Sequence, residues 1–264
     1  MSNMLYLIFF MLFILLSCIG YASQIYTIPK IVVQTYKSYD ILPECVKSVI
    51  EENKKNNPDY TFVFFDDSQL ENYIKTHSNK KTYEAFKLIN SNCGACKADF
   101  FRYVIIYNQG GIYADVKTRF KTNLTEWIHK DNTLRLSLWP WSKHKHLDKW
   151  FTSTKPKSDR REINQAFMVF PKKHPLLKKV IDNMVNRIYD VHKFGKKGIT
   201  LDVTGPWVYT KSIAPFLDRY NIELMESGGN LYNGNVQYDG TKGCYHKNEQ
   251  TRQERYTKIK KVII

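Results

Sequence analysis

The stretch Ala98–Arg119, A-D-F-F-R-Y-V-I-I-Y-N-Q-G-G-I-Y-A-D-V-K-T-R, decides how the rest of the chain is read. Phe100, Tyr103, Val104 and Tyr107 recur at the i, i+3, i+4, i+7 spacing of a buried helical face, and Gly110-Gly111 supplies a left-handed stop. Ile112-Tyr113-Ala114-Asp115-Val116 is short, mostly apolar and follows the glycines directly, so it reads as a buried strand. The strand ends by presenting Asp115 and Lys117 at the edge of an open α/β sheet, the edge at which ligands sit.

Upstream, Ile28–Thr35 is β-branched, apolar and opened by a proline, which predicts a first strand at the sheet centre. A helix is expected over Glu44–Asn53. The turn Asn57-Pro58-Asp59-Tyr60 then feeds a second strand, Thr61–Phe65, that ends in Asp66-Asp67. Strand, helix and strand joined by short links imply parallel pairing. Ser68–Thr76 and Tyr83–Ile89 are further helical stretches. Downstream, Leu134–Trp139 alternates like a strand, Asn164–Phe170 reads as another, and His174-Pro175 opens an amphipathic helix over Leu176–Tyr189. Val203–Trp207 is a turn opening a helix to about Leu217, and the tail Tyr256–Ile264 is basic and β-rich. No internal repeat is visible.

At 264 residues the chain suits one α/β domain over residues 23–264 with peripheral additions. Its 43% hydrophobic and 14% aromatic content excludes a disordered chain. A net charge of +15 favours polyanions, but the lysines are spread and no nucleic-acid module accompanies them, so no nucleic-acid partner is expected.

Met4–Ile19 is apolar and uncharged, which makes residues 1–22 a signal anchor or a signal peptide cleaved near Gly20 and Ala22. Both readings place the rest in the secretory pathway, in a Golgi or ER type lumen, and the anchor makes the membrane a partner through residues 4–19. Cys45, Cys93, Cys96 and Cys244 then face an oxidising compartment and can form one or two disulfides whose pairing the sequence leaves open. The C-x-x-C at Cys93–Cys96 has no second pair to complete a zinc site and follows no apolar strand, against a thiol oxidoreductase. Asn123-Leu124-Thr125 is a glycosylation pattern if exposed to a lumen. Trp141–Arg161 concentrates basic residues around two tryptophans, either as a solvated loop or as a lip toward an anionic acceptor or membrane.

Several pieces fall in a recognisable order: Ile28–Thr35, Asn57–Tyr60, the D-x-x-R-Y of Asp99–Tyr103, the G-G-I-Y-x-D of Gly110–Asp115, Asn164–Met168 and Thr204-Gly205-Pro206. In this order they resemble glycosyltransferase family 32, over most of the chain from Ile28 to about Ile213. The resemblance implies a GT-A type, Rossmann-like α/β fold with a mainly parallel central sheet. It implies transfer of a hexose from a UDP- or GDP-sugar to a hydroxyl of a glycan, glycolipid or protein, with retention at the anomeric carbon.

The same resemblance assigns Asp99 and Arg102 to hydroxyls of the donor sugar. Positions i and i+3 share a helix face, so a carboxylate and a guanidinium there can meet one ligand, although the same spacing also makes an ordinary surface ion pair. Tyr113, Asn164 and Gln165 are expected at the donor, and Gly205 and Pro206 on the acceptor side. Gln34 and Thr35, with Asp66 or Asp67 at a similar strand end, are placed to meet the nucleotide or simply to cap the following turn.

The family follows its strand with D-x-D, which binds Mn2+ or Mg2+, whereas this chain has Asp115-Val116-Lys117. A charged ammonium has no lone pair and cannot be a metal ligand. Three outcomes stay open: Asp115 binds metal with His246 or Asp202; Lys117 replaces the metal, making the enzyme metal-independent; or the domain is an inactive carbohydrate- or nucleotide-sugar-binding protein.

Overall fold

The computed structural model describes residues 27–131, 133–139, 162–195, 198–225, 234–241, 244 and 262–264. The apolar run at residues 4–19, the basic stretch 141–161, His246 and the tail before residue 262 lie outside the described residues. Among the described residues, no helix is long and apolar enough to cross a membrane.

A four-stranded sheet of order β2-β1-β3-β6 forms the centre, built from β1 (Ile31–Thr35), β2 (Thr61–Phe65), β3 (Gly111–Ala114) and β6 (Phe167–Phe170). β1 pairs in parallel with β2 and with β3, as the short strand-helix-strand links require. β6 runs antiparallel to β3, so the sheet is mixed and mostly parallel. β1 starts later than its apolar run because the Ile31 N–H turns back to the Pro29 carbonyl at 2.8 Å. β6 starts three residues later than its sequence pattern: the Asn164 carboxamide oxygen accepts the N–H groups of Ala166 and Phe167, making a turn where strand was expected.

One face of the sheet is covered by α4 (Gly94–Gln109) and, against it, α6 (Pro175–Phe194) and α2 (Asp67–His77). α4 is buried almost all round, from Asp99 through Ile106, and so lies inside the molecule. α3 (Lys80–Lys87) packs on α6. α6 runs past its predicted end to Gly195, whose left-handed φ of 60° stops it. The other face carries a second core: Val32, Ile112, Ala114 and Phe167 meet Phe120 of β4 (Arg119–Phe120), Ile128 of α5 (Thr125–Ile128) and Leu124 just before α5. The remaining elements are β5 (Leu134–Ser137), α7 (Thr200–Val203), α8 (Pro206–Ile213), a 3-10 turn Ala214–Arg219, β7 (Ile222–Met225) and β8 (Val236–Gln237). β5 pairs in parallel with β7, and β4 antiparallel with β8, each outside the main sheet.

Two buried asparagines of α1 (Glu44–Asn56) and its cap bind the chain that leaves β3. Asn53 donates to the Thr118 carbonyl at 2.7 Å and accepts the Phe120 N–H at 2.8 Å, and Asn57 accepts the Leu124 N–H at 2.8 Å. Disulfides join Cys45 to Cys244 and Cys93 to Cys96, the pairing that the sequence left open. Asn123 is half-buried, and the nitrogen that would carry a glycan donates to the Asn56 carbonyl at 3.3 Å.

The turn into β3 depends on its glycines. Gly111 has φ 97°, and a Cβ there would stand 2.7 Å from the Ile31 carbonyl oxygen. Gly111→Ala is therefore expected to lower the urea midpoint with an unchanged m value, by about 1–3 kcal/mol of backbone strain. An unchanged midpoint would show that the β1–β3 pairing yields to a side chain.

Candidate active site

The C-terminal end of β3 meets the inward face of α4. Asp99 and Arg102, one helical turn apart, are both 8% exposed at the side chain, so the pair is buried rather than a surface ion pair. Arg102 is the hub. Its Nη2 meets Asp99 Oδ1 at 3.0 Å, its Nη1 meets Asp115 Oδ1 at 3.4 Å and donates to the Gln165 carbonyl at 3.0 Å, and its guanidinium lies 4.4 Å over the Tyr113 ring.

The rest of the network grows from these contacts. Gln165 Nε2 donates to Asp99 Oδ1 at 3.0 Å, and the Thr204 hydroxyl donates to Asp99 Oδ2 at 3.4 Å. The Tyr103 hydroxyl donates to Gln165 Oε1 and to the Gly205 carbonyl. Tyr113 donates to Asp115 Oδ1 at 3.2 Å. Burial pushes the Asp99 carboxyl up to about 7, against the pull of the Arg102 guanidinium, while Asp115 adds to the rise. The Arg102 charge itself is stabilised by Tyr113, Asp115 and Asp99, which outweigh its burial.

Asp115 is the more open carboxylate, at 22% exposure. Its carbonyl accepts the Thr118 N–H at 2.9 Å, closing a turn that places Val116 and Lys117 at the tip. Lys117 is buried, its ammonium is 4.2 Å from the Tyr238 ring centroid, and its carbonyl accepts the Gly240 N–H at 2.8 Å. Burial works against the ammonium charge, but Tyr238, Asp115 and Asp239 outweigh it and hold its pKa above the usual lysine value.

The other sequence-predicted residues divide. Gln34 is buried at the end of β1 with no hydrogen-bond partner for its amide nitrogen among the described residues, an orphaned donor near the ligand edge. Thr35 is spent on the Phe65 carbonyl at 2.7 Å, and Asp66 caps α2 in a capping box with Gln69. Asn164 uses its oxygen on the turn before β6. Pro206 is the first residue of α8. Asp202 is held by Arg187 and Lys211, and His246 lies outside the described residues. Sequence reasoning gave no role to Thr204 or Tyr103, although both stand in the quoted motifs, and it had no local signal for Tyr238.

The donor set of the described residues does not suit a divalent cation. Among the described residues, no three His, Cys, Asp or Glu side chains gather. At the D-x-D position a single carboxylate faces the Arg102 guanidinium, and a lysine ammonium takes the place of the second oxygen ligand.

Residues 43–134 match the model described as the glycosyltransferase sugar-binding region containing DXD motif. That span is similar to such a sugar-binding region. The matched span includes Asp99, Arg102, Tyr113, Asp115 and Lys117. Two curated relatives come from Schizosaccharomyces pombe. Inositol phosphoceramide mannosyltransferase 3 is 28% identical over 65% of this chain and 41% of its own length. Initiation-specific alpha-1,6-mannosyltransferase is 24% identical over 77% of this chain and 52% of its own length. The chain thus spans about half, or less, of the length of these relatives. Among solved structures, PaToxG Glycosyltransferase aligns with a TM-score of 0.53 at 17% identity, covering 79% of each chain. That likeness is one of fold, and the mixed, mostly parallel α/β sheet is of the GT-A type.

Proposed function

We propose that the chain is a retaining hexosyltransferase that moves a hexose from a UDP- or GDP-sugar to a hydroxyl acceptor. The observation that carries this reading is the buried Arg102 network at the end of β3, inside the matched sugar-binding region. The fungal relatives' names support a mannosyl donor. In this reading Asp99 accepts from donor hydroxyls, Arg102 donates to them, and the orphaned Gln34 amide faces the nucleotide. The acceptor oxygen bonds to the anomeric carbon as the carbon–oxygen bond to the diphosphate breaks, and the acceptor proton leaves with a phosphate oxygen. No protein nucleophile is required. Residues 4–19 route the domain into the secretory pathway, as an anchor or as a cleaved signal.

Lys117 takes over the charge stabilisation that D-x-D assigns to a metal, because its ammonium is fixed beside Asp115 by Tyr238. The test is nucleotide release from a panel of UDP- and GDP-hexoses, with and without EDTA. Wild-type turnover is expected to resist the chelator, and Lys117→Ala to lose about 10²–10³-fold in kcat, the usual cost of removing one preorganised donor. Lys117→Asp should make turnover metal-dependent or abolish it. Wild-type activity that EDTA removes would return the charge to a cation. Lys117 also favours a second reading, an inactive sugar-nucleotide-binding protein: binding without release across all donors, acceptors and metals would establish it.

A further inference from the structure

Three residues before Gln165, a group that the donor reading does not use comes together. Glu162 Oε2 accepts the Trp207 indole N–H at 3.1 Å. The Glu162 carbonyl accepts the Trp139 N–H at 2.7 Å, and an antiparallel bridge between Leu138 and Ile163 fixes the two chains side by side. The Trp139 ring meets Tyr238 edge-on, with centroids 4.8 Å apart, and Tyr238 covers the Lys117 ammonium. A continuous line therefore runs from Lys117 through Tyr238, Trp139 and Glu162 to Trp207. At its other side, the Tyr103 hydroxyl that bonds Gln165 and the Gly205 carbonyl senses the Glu162 charge. Trp139, Glu162 and Trp207 are each partly exposed, so their surfaces reach solvent.

We propose that Glu162 and Trp207, flanked by Trp139, form the acceptor subsite, and that the group it receives is a pyranose. A pyranose combines hydroxyl donors with an apolar face of ring C–H bonds. A carboxylate oriented by an indole N–H accepts from the hydroxyls, and the neighbouring indole rings offer flat apolar surface to the ring face. The placement agrees with the chemistry, since the line of contacts leads directly to the Lys117 charge at the donor diphosphate. Burial also pushes the Glu162 carboxyl up to about 7, with the Trp207 N–H opposing it, so hydroxyl donors arriving there relieve a costly charge.

The inference rests on the transferase reading, and its test separates the two. With the full chain, transfer is measured to α-methyl mannoside, α-methyl glucoside and α-methyl galactoside, beside nucleotide release into water without acceptor. Glu162→Gln and Trp207→Ala are expected to lower kcat/KM for the responding glycoside by about 10-fold or more, through KM, while release into water stays within about twofold. Unchanged acceptor kinetics, or a parallel fall in both readouts, would overturn the subsite. Trp207→Phe keeps an aromatic ring in place and guards against misfolding; it should show an intermediate loss. If the wild type releases no nucleotide at all, the transferase reading fails, and glycoside quenching of tryptophan fluorescence still reads the subsite. A saturable quench weakened in Trp207→Phe and Glu162→Gln supports it, and no quench by any of the three glycosides refutes it.

Discussion

Arg102→Met is expected to destabilise the fold by about 3–5 kcal/mol and to abolish turnover, the largest effect of any single change at the site. The guanidinium faces Asp99 and Asp115, donates to the Gln165 carbonyl and covers the Tyr113 ring. Methionine keeps most of the volume but leaves the Asp99 carboxylate buried without its cation. Burial already pushes Asp99 up to about 7, and losing Arg102 pushes it higher. A carboxyl whose folded pKa exceeds its unfolded value adds stability at low pH and loses it as pH rises toward the folded pKa. Because the folded wild type also holds Asp99 protonated below about pH 7, the variant's extra destabilisation should be nearly constant at lower pH and grow above pH 7, which urea melts at several pH values would read. Asp99→Asn combined with Arg102→Met should recover part of the stability, because the uncompensated charge is gone, and none of the turnover. Recovery of turnover in the double variant would mean that the pair serves the fold alone.

Cys45→Ser is expected to cost up to about 5 kcal/mol, because the Cys45–Cys244 bridge closes a loop across a sequence separation of 199 residues. The cost falls on the site as well as the fold. Cys244 follows the segment in which Tyr238 covers Lys117, Gly240 donates to the Lys117 carbonyl, and Val236 pairs with Phe120. Guanidinium melts should show wild type in strong reductant converging on the variant, and nucleotide affinity should fall in both. The Cys93–Cys96 bridge spans only three positions and contributes far less by the same argument. A variant with unchanged nucleotide affinity would show that β8 and Asn53 alone hold the wall of the site.

What the sequence made legible is what local physics controls. The Thr61–Phe65 strand kept both its ends because a turn precedes it and a capping aspartate follows it. The α4–glycine–β3 passage was readable because helical period, left-handed glycines and β-branching agree at neighbouring residues. Asp99 and Arg102 were readable as a pair for the same reason. Their burial, and the reach of Arg102 to Asp115 and Gln165, depend on three segments meeting, which no periodicity encodes. Asn164 shows the opposite limit: an apolar pattern ran through it, but a short carboxamide bonding its own backbone outcompeted the strand. Tyr238, Glu162 and Trp207 had no local signal, because each acquires its meaning from a residue far along the chain.

Asn53 of α1 has a consequence for how copies of the protein meet. Asn53 bonds Thr118 and Phe120 as a neighbouring strand would, while β8 pairs with the opposite edge of β4. A two-residue strand beside the site thus has neither edge open, and another chain finds no free backbone there to extend into a shared sheet. In a protein rich in β-branched and aromatic residues, this one carboxamide is a compact safeguard against self-association along that wall.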